Sequence, residues 1–269
     1  MREIIVNSNC YHGYSLSAAL DGLKAAGFSK VELTATKGWT EHVFPTMSFY
    51  ELVAFERKLE KLGISAPALS GHTNLMDPER LEDFKANIEL AGFFGCRFIV
   101  SSIGEAHLKD RAENTDEVVK EHLVSLLPLL EKHGLVLVLE THGQHGTARR
   151  IKQITDLVNN ARVRICYDTA NAIYYGDVKG TEDLEAAVSD VAYLHIKDKK
   201  GERTEWNFPA LGEGYVDFPS LLGVLDNHSN PSPLSIEIEF TPEGSSCERE
   251  VTDALVRSRL YLESLGYTV

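Results

Sequence analysis

EVVKEHLVSLLPLLEKHGLVLVLET, residues 117–141, decides the fold. Glu117–His133 repeats its apolar residues near the 3.6-residue period of an amphipathic helix. Gly134 follows directly, where a glycine closes a helix. Leu135–Thr141 is then a short apolar run with the length and β-branching of a strand, and Glu140 stands at its end.

The same unit recurs on both sides. Ser15–Ala26 places Leu16, Ala19, Leu20 and Leu23 on one helical face, is closed by Gly27, and leads into the strand Lys30–Leu33. Phe49–Leu62 does so with Leu52, Phe55, Leu59 and Leu62, then Gly63 and the strand Ser65–Leu69. Further strands are expected at Glu3–Asn7, Arg97–Ser101, Arg164–Asp168, Val191–Lys197 and Leu234–Glu239, with helices at Glu79–Phe94 and Val251–Leu265. The sixth and seventh helices are the least defined, because Gly176, Gly180 and the Gly201–Gly214 region interrupt them. Eight strands, each followed by helical sequence over short links, predict an α/β fold, a (β/α)8 TIM barrel occupying residues 1–269 as a single domain. An open doubly wound sheet is the alternative, but no GxGxxG follows the first strand.

The chain's length suits this fold, since α/β barrels run to about 250 residues as one unit. A formal net charge of −13, from 40 acidic against 27 basic residues, repels phosphodiester backbones and anionic membranes, so neither nucleic acid nor membrane is expected as a partner. The N-terminus lacks a signal-peptide apolar region and no apolar run is long enough to span a bilayer. Cys10, Cys96, Cys166 and Cys247 are widely spaced with no CxxC, which fits a reduced, cytoplasmic setting.

Barrel strands should be apolar, and a carboxylate buried in one costs several kcal/mol unless it is paired or bound to metal. The C-terminal half departs from that pattern four times, each time at a strand end. Leu135-Val136-Leu137-Val138-Leu139 runs into Glu140, and Val163-Arg164-Ile165-Cys166-Tyr167 into Asp168. Val191-Ala192-Tyr193-Leu194 runs into His195-Ile196-Lys197-Asp198, and Leu234-Ser235-Ile236 into Glu237-Ile238-Glu239. Strand C-termini open on one face of a barrel, so these groups converge. Three carboxylates and an imidazole form a mixed oxygen and nitrogen set suited to one divalent ion, Mn²⁺, Mg²⁺, Co²⁺ or Zn²⁺. Each residue taken singly has a plainer explanation, as a solvated strand-end acid or a hydrogen-bonded core histidine; four at consecutive strand ends do not.

At these segments the sequence resembles the sugar phosphate isomerase/epimerase superfamily of xylose isomerase-like barrels. The carrying residues are Leu139-Glu140-Thr141-His142, Tyr167-Asp168-Thr169-Ala170-Asn171, Leu194-His195-Ile196-Lys197-Asp198 and Ser235-Ile236-Glu237-Ile238-Glu239. Leu211-Gly212-Glu213-Gly214, followed by Val216-Asp217-Phe218, is similar to that family's loop between the last two strands. The resemblance implies Glu140, Asp168, His195 and Glu237 as ligands of one divalent metal, with Glu140 and Glu237 the catalytic acid and base, as in ketose 3-epimerases. Glu239 competes with Glu237 for the fourth place, since both positions of one strand can face the axis; the Ser-Ile-Glu motif favours Glu237. Where some epimerases carry His three residues after the metal-binding Asp, this chain has Asn171.

The chemistry implied is proton transfer α to a carbonyl through an enediolate, giving epimerisation or aldose–ketose isomerisation of a small sugar or sugar phosphate. Strand alternation turns His142 and Lys197 inward, and His72 follows the third strand, so these three are the candidate substrate-binding residues. A structural ion pair or hydrogen bond explains them equally well. Trp39 and Phe44 are candidate pocket walls, while His142-Gly143-Gln144-His145 is too closely spaced for a zinc motif. Hydroxypyruvate isomerase or inosose dehydratase chemistry uses the same scaffold. A DNA repair enzyme of the endonuclease IV kind would need more histidines and a basic face, and a non-catalytic binding barrel would not need all four ligand positions filled. Homodimers or homotetramers are the family expectation.

Overall fold

The computed structural model describes residues 2–104, 113–178 and 181–269. Eight strands pair in parallel in chain order: β1 (Ile4–Asn7), β2 (Lys30–Thr36), β3 (Ser65–Ser70), β4 (Phe98–Ser101), β5 (Val136–Glu140), β6 (Val163–Asp168), β7 (Val191–Ile196) and β8 (Leu234–Ile236). β1 pairs with both β2 and β8, through Val6 beside Val31 and Val6 beside Ile236, which closes the barrel. A two-residue strand, Thr40–Glu41, folds back antiparallel on the end of β2.

Each barrel strand is followed by a helix: α1 (Leu16–Ala25), α2 (Phe49–Leu62), α3 (Pro78–Phe93), α4 (Asp116–His133), α5 (Ala148–Val158), α6 (Thr181–Ala187), α7 (Phe218–Asn227) and α8 (Glu248–Ser264). α2 starts in a capping box between Ser48 and Glu51 and ends at Gly63, whose φ of +63° lies in the left-handed region that glycine adopts without strain. Gly134 closes α4 in the same way, at φ +68°.

The two ill-defined regions have separate causes. After β6 the chain makes one helical turn, Asn171–Tyr174, before α6. Gly176 lies between them because a Cβ there would sit 2.4 Å from the Gly146 carbonyl oxygen; Gly180 falls outside the described residues. After β7 a long loop precedes α7, whose first turn carries Pro219. The final strand is shorter than the sequence suggests: β8 ends at Ile236, and Glu237–Glu239 continue beyond it, with Glu239 N–H donating to the Phe208 carbonyl.

Period-two alternation sorts the strand side chains into two layers. Val31, Leu33, Leu69, Ile99, Leu137, Leu139, Ile165 and Leu194 face the helices in the large outer core. Ile5, Ala68, Val100, Val138, Cys166 and Tyr193 fill the barrel interior as a separate apolar cluster. Two positions further along each strand, the same inward face presents Asn7, Ser70, Glu140, Asp168 and His195, all buried. The apolar plug thus forms a floor beneath a polar layer at the C-terminal mouth. Among the described residues no helix is long and apolar enough to cross a membrane.

Two buried histidines away from that layer set a pH limit on stability. Burial lowers His42 and His145 from the usual 6.5 to about 4. Both are neutral when folded, so the unfolded chain takes up the extra protons as pH falls through 6.5. The stability they confer is complete above that value and is lost progressively toward pH 4, by about 2.5 kcal/mol each at pH 4.5. Urea unfolding should show this loss between pH 7.5 and 4.5; a flat unfolding free energy across the window contradicts it.

Candidate active site

Glu140 closes β5, Asp168 closes β6, His195 is the penultimate residue of β7, and Glu237 follows β8 directly. Each offers one ligating atom, and the four atoms lie within 4.8 Å of one another in the buried mouth of the barrel. His195 Nδ1 is the hub, 2.5 Å from Glu140 Oε1, 3.6 Å from Glu237 Oε2 and 4.0 Å from Asp168 Oδ2.

The outer oxygens of these carboxylates are held by neighbours, which leaves the inner ones aimed at the centre. Asp168 Oδ1 accepts the backbone N–H groups of Ala170 and Asn171 at 2.9 and 2.8 Å. Its Oδ2 is buried with no hydrogen-bond partner. Glu237 Oε1 accepts from the side-chain amides of Asn7 and Asn9, both at 3.2 Å. Glu140 Oε2 is 2.8 Å from His72 Nε2, and His72 Nδ1 is 2.9 Å from the Ser70 hydroxyl. A buried carboxylate oxygen with no hydrogen bond and only a long 3.9 Å contact to Lys197 Nζ, facing two more carboxylates and an imidazole nitrogen, is a donor set that one divalent cation satisfies.

The electrostatics follow from crowding. Burial pushes the Asp168 carboxyl well above its usual range, and the charges of Glu140 and Glu237 add to this against the pull of Lys197. Burial acts the same way on Glu140, but the contacts with His72 and His195 outweigh it and hold that carboxyl well below the usual range. Lys197 and His195 likewise bring Glu237 below its ordinary value despite burial. Burial opposes charge on His195, yet the surrounding carboxylates raise it well above a free imidazole.

Lys197 points into the cluster, with Nζ 2.7 Å from Glu239 Oε2, 3.3 Å from Glu237 Oε2 and 4.6 Å from the centre of the Phe208 ring. Glu239 therefore serves the lysine while Glu237 stands with the other three. Asn9 donates to Glu239 Oε1 as well, and its own carbonyl oxygen is fixed by Trp39 Nε1 and the Thr40 hydroxyl. His142 also reaches the cavity, its ring 4.6 Å from that of Tyr175, and burial lowers it to about 4 so that it is neutral near pH 7. Trp39 lines the cavity and stacks on His12 at 4.1 Å; Phe44 instead packs against the outer core. His142 and His145 bridge each other across a tight turn at Gly143.

Glu32 escaped the sequence reading. It sits in the middle of β2 with no solvent exposure, 3.0 Å from His195 Nε2, and accepts from the Tyr193 and Ser235 hydroxyls at 2.8 and 2.7 Å. With Nε2–H donated to Glu32, Nδ1 is the ring nitrogen that faces the centre, and it would ligate a metal that displaces its proton. The missed signal is the alternation Val31-Glu32-Leu33-Thr34-Ala35-Thr36, which puts Glu32 on the inward face of a strand that has no solvent side.

Glu140 and Glu237 line, with His72, His142 and Lys197, a small chamber of about 30 Å³. It opens past Asn9, Trp39, Tyr175, Trp206 and Glu239 into a cavity of about 860 Å³.

The family model for xylose isomerase-like TIM barrels matches residues 20–255. The chain belongs to that family. As a xylose isomerase-like barrel it is 26% identical over 143 residues to an inosose dehydratase of Clostridium perfringens, covering 47% of this chain and 48% of that protein. It thus spans about half the length of the curated relatives it matches. A D-allulose 3-epimerase from Methylomonas sp. superposes with a TM-score of 0.76 at 17% identity, over 98% of each chain. The IolI protein, solved with a zinc atom, gives 0.76 at 18% identity over the full length of both. At such identities these structures establish the shared barrel.

Proposed function

We propose that this xylose isomerase-like barrel is a divalent-metal-dependent epimerase or isomerase of a small sugar or sugar phosphate, with Glu140 and Glu237 as its acid–base pair. The observation that carries this reading is the convergence of Glu140, Asp168, His195 and Glu237 within 4.8 Å, with Asp168 Oδ2 buried and without a hydrogen bond. Epimerase and zinc-containing neighbours support the metal and the reaction class.

A bound divalent ion at this cluster supplies Lewis-acid stabilisation of the negative charge that develops on the substrate's carbonyl and adjacent hydroxyl oxygens. The protein's own groups handle the proton. Glu140 and Glu237 are both held toward the ionised form, as a base must be. One takes the proton from the carbon next to the carbonyl; the other, ionised in the free protein, has to gain a proton from water before it returns one to the opposite face. Return to the neighbouring carbon gives isomerisation instead. His72 fixes Glu140, and Asn7 and Asn9 fix Glu237, so each carboxylate turns its other oxygen toward the centre. Neutral His142 and the Lys197–Glu239 pair are placed to bind substrate hydroxyls. The free state of all four cysteines supports a cytoplasmic location.

Dehydration of a cyclic polyol ketone is the second reading, favoured by the match to inosose dehydratase. It shares the first proton abstraction and differs in the loss of a hydroxyl from the next carbon. Product analysis of a ketose panel and an inosose, incubated with Mn²⁺-loaded protein, separates the two. Epimers or aldoses support the first reading, an unsaturated or diketone product the second, and unchanged substrates throughout defeat both.

Glu32 carries its own prediction. Glu32→Gln keeps the shape but weakens the acceptor that orients His195, so Mn²⁺ affinity should fall about 10–100-fold. Calorimetric titration of the chelated protein measures this; wild-type affinity in the variant would remove Glu32 from the account.

A further inference from the structure

A TIM barrel ordinarily holds a substrate phosphate in the loops after its seventh and eighth strands, on backbone N–H groups and a helix N-terminus. In this chain both places are filled by the protein's own carboxylates. After β7, the loop containing Gly212-Glu213-Gly214 curls its amides inward, and the anion they enclose is Asp198. Gly212 and Gly214 N–H donate to Asp198 Oδ2 at 2.9 and 2.8 Å, and Val216 and Lys199 N–H to Oδ1 at 3.1 and 2.8 Å. The fit is closed: Asp198 is 1% exposed, and a Cβ on Gly214 would lie 2.3 Å from its Oδ1. Asp217 caps the start of α7 by accepting from Ser220 N–H at 3.1 Å. After β8, just ahead of α8, both the N–H and the hydroxyl of Ser246 donate to Glu250 at 2.6 Å.

The cavity leading to the cluster agrees in sign. Its described lining includes Glu239 and the exposed Glu243, and no arginine or lysine, between the aromatic walls of Tyr14, Trp39, Tyr175 and Trp206. Lys197, deeper in, is engaged by Glu239 and Glu237. The loop donors that could hold a phosphate are already taken by Asp198, and a phosphate in this cavity would lie near the Glu239 and Glu243 carboxylates; like-charge juxtaposition costs several kcal/mol. Hydroxyl groups donate to those same carboxylates, and the apolar faces of a sugar pack on the aromatic walls.

We propose that the substrate is uncharged at the end remote from the reacting carbons: a free ketose or cyclic polyol ketone, rather than a sugar phosphate or sugar acid. This rests on the proton-transfer reading only for which end of the molecule reacts.

The test is titration of the Mn²⁺-loaded protein with D-fructose and D-fructose 6-phosphate, and with D-ribulose and D-ribulose 5-phosphate, read by quenching of Trp39 and Trp206. In each pair the free sugar should bind at least about tenfold more tightly than its phosphate. Glu243→Lys should improve the phosphates several-fold more than the free sugars. Equal or tighter binding of a phosphate in either pair, or no binding of any free sugar, overturns the inference. Conversion of the same sugars is followed in parallel. Free sugars that bind preferentially but are never converted sink the proton-transfer reading and leave this inference standing; preferred turnover of a phosphate does the reverse.

Discussion

Glu140→Gln is expected to lower turnover by about 10²–10⁴-fold in metal-saturated protein, the range for loss of a positioned acid–base group. The amide keeps the volume of the side chain, but it cannot accept a proton from carbon. It also removes the charge that sits 2.5 Å from His195 Nδ1 and 2.8 Å from His72 Nε2. Glu237→Gln should behave similarly, because Asn7 and Asn9 hold its outer oxygen and turn Oε2 toward the centre. Initial rates at saturating Mn²⁺ and sugar report the effect, with thermal unfolding confirming that the fold is intact. Either variant within about tenfold of wild type would take that glutamate out of the chemistry.

Asp168→Asn separates the metal-free protein from the loaded one. Without metal, Asp168 is a buried acid whose Oδ2 has no hydrogen-bond partner and whose charge is opposed by burial and by Glu140 and Glu237. An amide there is neutral without having to bind a proton and offers donors to those carboxylates, so the chelated variant should be as stable as wild type or more so, by about 1–3 kcal/mol. With metal the order reverses. At a concentration of about 1,000 times its dissociation constant, an ion stabilises the wild type by about 4 kcal/mol. A variant binding about 100-fold more weakly keeps only about 1.4 kcal/mol of that at the same concentration. Melting each protein with Mn²⁺ and with chelator measures both effects. A full metal-dependent rise in the variant contradicts Asp168 as a ligand.

The barrel was legible because its signals are local. Gly27, Gly63 and Gly134 close helices in three places, and a strand follows each within a few residues. Glu140, Asp168, His195 and Glu237 stood out because a polar group ending an apolar strand violates the rule for a buried strand. Glu32, Asn7 and Asn9 were harder to see. Alternation such as that of β2 ordinarily marks a strand with one face in water, and only barrel closure turns its polar face inward. The Lys197–Glu239 pair and the His72–Glu140 contact join residues far apart in the chain, so no local pattern encodes them. The Gly212-Glu213-Gly214 motif is visible in the sequence, but its pairing with Asp198 is not, because the loop's amides reach back to a residue well upstream in the chain.

The most direct test of the central claim is hydrogen exchange in D2O, followed by NMR at the carbon next to the carbonyl of D-fructose and D-ribulose, with Mn²⁺-loaded and chelated protein side by side. Deuterium incorporation is expected that needs the metal, returns when Mn²⁺ is restored, and disappears in Glu140→Gln. Exchange that persists in the chelated protein, or none in the loaded protein with any ketose tried, would contradict metal-dependent proton transfer at this cluster.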